Sequence, residues 1–156
     1  DDKIPYTEWV SRDLMRTSKG NSVHKDDVTA WFKEVRDELD IHVSYSGYDS
    51  WSAKYWVEYM LGEFGPGSMV AVPQILKVLS GPMKQIEADF KSKLIVYNNN
   101  PIDRWCFFNT SYIEDKNGNI KPVKTTKSRK RIDGFSALLN AYVVLQDKRK
   151  EYLTLI

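Results

Sequence analysis

Apolar positions change period several times along the chain. From Lys25 to Leu39 they recur as Val28, Trp31, Phe32, Val35 and Leu39, the spacing of one helix face. Asp26 and Asp27 fall in the first turn, where the positive end of the helix dipole favours them. The period then drops to two. Ile41, Val43 and Tyr45 alternate with His42 and Ser44, which predicts a strand with two unlike faces ending at Gly47-Tyr48-Asp49. Residues 50–61 read as a helix with Trp51, Tyr55, Trp56, Tyr59 and Met60 as its apolar or aromatic positions, broken by GEFGPGS. MVAVP, residues 69–73, reads as a short buried strand. Ser80 suits an N-cap with Pro82 in the first turn, predicting a helix to about Ser92.

The opening segment carries Ile4, Pro5, Tyr6 and Trp9, and Pro5 argues against a central strand. Residues 12–18 and LIVY, residues 94–97, are expected to form short strands. Asn98-Asn99-Asn100-Pro101 is turn chemistry, and residues 101–108 look helical and amphipathic. TSYIEDKNGNIKPVK, residues 110–124, predicts a hairpin around Asn117-Gly118. A last helix is expected from Asp133 to Lys150, with Phe135, Leu138, Leu139, Tyr142, Val143 and Leu145 on its apolar face. Alternation of strands and helices predicts an α/β class with some parallel pairing, in one domain without an internal repeat.

Composition changes this picture little. The 156 residues, 42% hydrophobic and 28% charged, suit an ordinary globular domain with a real core. No apolar run reaches the roughly 18 residues a membrane span needs, so no membrane partner is expected. The acidic start, DDKIPYTEW, lacks the apolar region of a signal peptide. Cys106 is the single cysteine, which leaves no internal disulfide and no cysteine-based zinc site. It is expected to pack as a small apolar residue, because neither His24 nor His42 has a spacing that supplies a base.

Charge distribution matters more than the net +2. Lys121, Lys124, Lys127, Arg129, Lys130 and Arg131 lie in one stretch that contains no acid. Such a cluster suits the phosphate backbone of nucleic acid, and a solvated surface loop accounts for it as well. Two carboxylates stand at element ends nearby. Asp49 closes a predicted strand and Asp133 opens the last helix. In open α/β sheets ligands gather at strand carboxyl ends, and clustered carboxylates make a hard-oxygen site for Mg²⁺ or Mn²⁺. Asp is also among the best helix N-caps, and both positions are where caps sit. The loop GEFGPG superficially resembles a phosphate loop, but it follows a helix and lacks the Gly-Lys-Ser/Thr of that motif. No Gly-x-Ser-x-Gly elbow occurs. Trp31, Trp51, Trp56 and Trp105 have helical spacing and are expected in the core.

Four motifs in this order carry a resemblance: YDSW (48–51), NPIDRWCFFN (100–109), EDKNGNIKPVK (114–124) and KRIDGFSALLNA (130–141), with YTEWVSRDLMRTSKG (6–20) before them. Together they resemble the C-terminal nuclease domain of the large terminase subunit of tailed bacteriophages, over nearly the whole chain. The resemblance implies an RNase H-like mixed sheet flanked by helices, with an added β-hairpin. It implies a metal-dependent endonuclease that cuts concatemeric double-stranded DNA during packaging by two-metal phosphodiester hydrolysis, in the cytoplasm of the bacterial host.

By the same resemblance Asp49 and Asp133 would be catalytic metal ligands for Mg²⁺ or Mn²⁺. DNA, the portal protein and the small terminase subunit would be partners. The family pattern begins with a strand bearing another metal-binding Asp, and an ATPase motor precedes it. This chain is expected to lack both, to cut weakly or not at all alone, and to self-associate through an exposed sheet edge. The alternative is a non-catalytic DNA-binding or assembly module. An integrase- or resolvase-like enzyme would share the two-carboxylate geometry, but the NGNIKP hairpin before RIDG tells against it.

Overall fold

The computed structural model describes residues 4–51, 54–125 and 130–155. The chain forms two compact units. One holds Asp1–Ser46 and Trp51–Val70, and the other holds Gly47–Ser50 and Ala71–Ile156.

The first unit contains α1 (Tyr6–Ser11), α2 (Lys25–Asp37) and α3 (Lys54–Phe64). Helix α2 follows the predicted apolar spacing, with Asp26 and Asp27 in its first turn. It packs on α3 through aromatic rings: Phe32 meets Trp56 and Phe64 at centroid separations of 6.0 and 6.2 Å. The indole of Trp56 donates to the hydroxyl of buried Thr29 at 3.1 Å. Arg36 lies over the Phe64 ring at 5.1 Å and donates to the Glu63 carbonyl at 3.2 Å. Residues 12–18 are not a strand. Helix α1, anchored by buried Trp9, is closed by Asp13 in the left-handed region at φ 54°, and the Leu14 amide donates back to the Trp9 carbonyl.

Strands β1 (Ser46–Asp49) and β2 (Met69–Val72) form a two-stranded sheet, and the division between the units falls within them. The strand expected over 41–49 is thus limited to its last part. Ile41 is exposed, and its amide donates to the Val35 carbonyl at the end of α2. Trp51 is 88% exposed and Trp31 is exposed as well, so these two indoles do not join the core as their spacing predicts.

The second unit contains α4 (Leu76–Lys91), α5 (Pro101–Phe108), β3 (Thr110–Glu114), β4 (Ile120–Lys124) and α6 (Asp133–Tyr152). Helix α4 starts earlier than the sequence predicts, with Ile75 at the N-cap, so Ser80 and Pro82 lie inside it. Tertiary demand explains the buried serine: its hydroxyl accepts from the Ile120 amide at 3.1 Å, which ties β4 to α4. Lys84 of α4 also donates to the Gly118 carbonyl at 2.8 Å. The LIVY segment is not a strand. Lys93, Asn98 and Asn99 take positive φ on either side of it, and Leu94 and Val96 are exposed. Asn100 caps α5 by accepting from the Ile102 amide at 2.9 Å, with Pro101 beginning the helix.

The hairpin forms as predicted, antiparallel with Thr110 opposite Lys124 and Glu114 opposite Ile120. Its tip is organised by Asp115, whose carboxylate accepts from the amides of Asn117 and Asn119 and from the Asn119 side chain. Gly118 supplies the positive φ of 75° the turn requires. The chain is therefore α/β, with helices beside small sheets and an added hairpin.

Helix α6 packs against α4 and α5, burying Phe135, Leu139 and Val144. Tyr142 donates to Asp89 of α4 at 2.8 Å. Burial, with that carboxylate beside it, pushes the phenol up to about 12. Strand β1 approaches α6 at Gly47. A β-carbon there would lie 2.8 Å from Val144 Cγ2 and 2.9 Å from the Asn140 carbonyl oxygen, too close for any other residue. Gln74, between β2 and α4, donates to the Asn140 side chain of α6 at 3.1 Å and to the Val72 carbonyl at 3.0 Å.

Gly47→Ala is expected to lower unfolding free energy by about 1–3 kcal/mol, the cost of forcing packed groups apart, measured by urea unfolding. Tyr142→Phe should cost about 1 kcal/mol, the scale of one net hydrogen bond. The phenol is raised in the folded state, so its contribution is complete below about pH 10 and fades as pH rises towards 12. The difference between variant and parent should shrink over that interval.

Candidate functional site

Asp133 is the first residue of α6, and Ile132 is the N-cap. The carboxylate is exposed at the positive end of a long helix, without being the capping residue itself. Asp49 is the last residue of β1, so it too lies off an N-cap position. The capping role that both positions could have filled is thus not the one either occupies. Both belong to the second unit. Asp49 is carried by the strand that Gly47 seats on α6, and Asp133 begins that same helix.

A second carboxylate that the sequence reading did not single out stands near Asp133. Asp103, on α5, places Oδ1 at 3.5 Å from where a Gly134 β-carbon would be, and Cys106 Sγ lies 3.2 Å from the same point. Gly134 therefore lets α5 come close to the start of α6. Partial burial pushes the Asp103 carboxyl above its ordinary range. Burial is also the main cause that pushes the Cys106 thiol up. The Gly134 and Phe135 amides oppose it, and the Asp133 and Asp103 charges add to it. Cys106 is buried and held as a thiol, as its packing role predicts. Asp103 was legible only as one letter of NPIDRWCFFN; its one-turn spacing from Cys106 was the available signal.

Asn109, also not anticipated, bonds to residues at both ends of the loop before α6. It is 4% exposed. Its backbone carbonyl accepts from the Thr125 amide at 2.9 Å, and its side-chain amide donates to the Arg131 carbonyl at 3.1 Å. One buried residue at the end of α5 thus bonds to both Thr125 and Arg131. Lys130 reaches back to the Thr125 hydroxyl at 3.5 Å, and Arg131 is exposed just before Asp133. Lys121 and Lys124 belong to β4, and the strand period puts them on opposite faces. The structure therefore does not gather all the cations onto one surface. Lys127 and Arg129 lie outside the described residues.

Among the described residues, no three His, Cys, Asp or Glu side chains form a group able to hold a metal ion. The donor chemistry of Asp49 and Asp133 nevertheless suits Mg²⁺. That ion is commonly held by one or two carboxylates, with water and substrate phosphate completing its shell.

The order of these features along the chain matches a known family. Residues 1–148 match the family described as terminase large subunit, endonuclease domain. The chain belongs to that family. It is similar to the terminase, large subunit, of Enterobacteria phage HK97, with 26% identity over 145 residues, covering 88% of this chain and 27% of that protein. The crystal structure of the HK97 bacteriophage large terminase shares the fold, with a TM-score of 0.79 and 24% identity, covering 92% of this chain and 29% of that one. The chain thus spans little more than a quarter of the relative's length.

Asn109→Ala should cost about 1 kcal/mol, the scale of the one part-buried hydrogen bond to the Arg131 carbonyl that it removes. Urea unfolding measures the loss. Unchanged stability would show that this bond contributes nothing.

Proposed function

We propose that this domain hydrolyses phosphodiester bonds of double-stranded DNA as the nuclease of a packaging terminase, with Asp49 and Asp133 as metal ligands. The observation that carries the reading is the exposed Asp133 at the start of α6, directly after a basic stretch whose Arg131 is bonded to Asn109, in a chain of the terminase endonuclease family. The RNase H-type arrangement implied by the family resemblance belongs to this reading.

The division of labour follows from chemistry. Lys130 and Arg131, with Lys121, Lys124, Lys127 and Arg129, attract the phosphate backbone, a contact that positions the duplex without reading its sequence. The amides at the start of α6 and the nearby cations lower the cost of bringing a phosphate beside carboxylates. Asp49 and Asp133 offer hard oxygen ligands, and a bound Mg²⁺ or Mn²⁺ supplies Lewis-acid polarisation of the phosphodiester. Two such ions acting together, the portal protein and small terminase subunit as partners, and the host cytoplasm as the setting belong to the same proposal. No helix among the described residues is long and apolar enough to cross a membrane.

Asp49→Asn and Asp133→Asn should each weaken Mn²⁺ binding at least about tenfold, because affinity follows ligand charge. Stability should stay within about 0.5 kcal/mol for the exposed Asp133→Asn, and half-buried Asp49→Asn should cost about 1 kcal/mol or less. Calorimetric titration with Mn²⁺ alone, paired with thermal unfolding, measures both. Undiminished Mn²⁺ binding in both variants would refute the metal assignment and leave a non-catalytic DNA-binding or assembly module.

A further inference from the structure

The face of α5 beyond Asp103 carries an arrangement that metal chemistry and backbone contact do not use. Phe90, Tyr97, Arg104, Phe107 and Phe108 line an open cleft of about 560 Å³. Phe90, Tyr97 and Phe107 pack edge to face, with centroids 5.2 to 5.9 Å apart. Phe108 stays 72% exposed, and the Arg104 guanidinium lies 5.5 Å from its ring centre. Tyr97 is brought there by the left-handed pair Asn98 and Asn99, which turns the chain into α5.

We infer that this cleft receives one unpaired DNA base beside a cut or frayed end, stacked on Phe108, while Arg104 meets the adjoining phosphate. Charge selects this occupant. The cleft wall contains one cation and no acid, whereas in the wall of the larger apolar cavity between α4 and the hairpin Glu87 and Glu114 offset Lys84 and Lys91 and leave no net attraction for phosphate. Continuity selects it too. Phe107 meets Phe135 edge to face at 6.1 Å, two residues past Asp133, and one turn of α5, roughly 6 Å, separates Phe107 from Asp103. A strand with a phosphate at Asp133 has its neighbouring base within reach of the rings. Aromatic faces take any base, so the cleft holds an end without reading its sequence. The inference rests on the proposed placement of DNA at Asp133, but not on metal binding.

The test is fluorescence anisotropy in EDTA, using the 156-residue chain and three duplexes: blunt, with a one-base overhang, and with an abasic overhang. The base should tighten binding about tenfold over the abasic end, the lower range for one stacked base. Phe108→Ala should erase that gain and leave blunt-duplex affinity unchanged, with its fold checked by circular dichroism. Arg104→Gln should weaken overhang binding and lower its salt-dependence slope by about one. Equal affinity for base and abasic overhangs, or a gain that survives Phe108→Ala, overturns the inference. The Mn²⁺ titrations of Asp49→Asn and Asp133→Asn are independent of this readout, so either idea can fail while the other stands.

Discussion

The second unit is organised by the close packing of α6. Its buried residues Phe135, Leu139 and Val144 recur at helical spacing, and α4 and α5 pack against it. Strand β1 comes near enough at Gly47 that no side chain fits between strand and helix. Gly134 does the same for α5 at the first turn. These two contacts make the missing side chain the determinant of geometry. One seats the strand that ends in Asp49 on α6, and the other brings Asp103 and Cys106 beside Asp133. Packed interiors respond to a single added methyl group, so the chemistry of the site is coupled to the packing of the helix.

Around that helix, polar groups are satisfied in ways that also set position. Ser80, buried inside α4, accepts from the first residue of β4, and Asn109 bonds to both Thr125 and Arg131. Buried polar groups that lack partners are costly, so each of these bonds has a narrow geometric tolerance. Under the proposed nuclease function, the Asn109 anchor fixes the backbone at Arg131, beside Asp133. Burial of Cys106 keeps the one thiol out of this chemistry.

The first unit uses a different device. Its helices α2 and α3 are joined by rings and by an indole-to-threonine hydrogen bond, with Arg36 covering the edge at Phe64. Exposed ion pairs such as Lys33 with Glu63 contribute little to stability by comparison. The aromatic spacing seen in the sequence reports this packing at Phe32 and Trp56. It fails at Trp51 and Trp31, whose rings remain exposed.

The sequence by itself determined the α/β class, the start of α2, the bounds of α5, the hairpin around Gly118 and the start of α6 at Asp133. Each rests on local rules: apolar period, a capping asparagine before proline, or a glycine that permits a turn. Its ordered motifs also pointed to the terminase endonuclease family. Only the tertiary structure decided the short extent of β1, the extension of α4 through Ser80 and Pro82, and the absence of a strand at residues 94–97. Strand pairing needs a partner at the right place, and a serine chooses between cap and core by what approaches it. The same holds for Asp103, Asn109 and the cleft at Phe108. Their meaning lies in neighbours distant along the chain, and no local period records that distance.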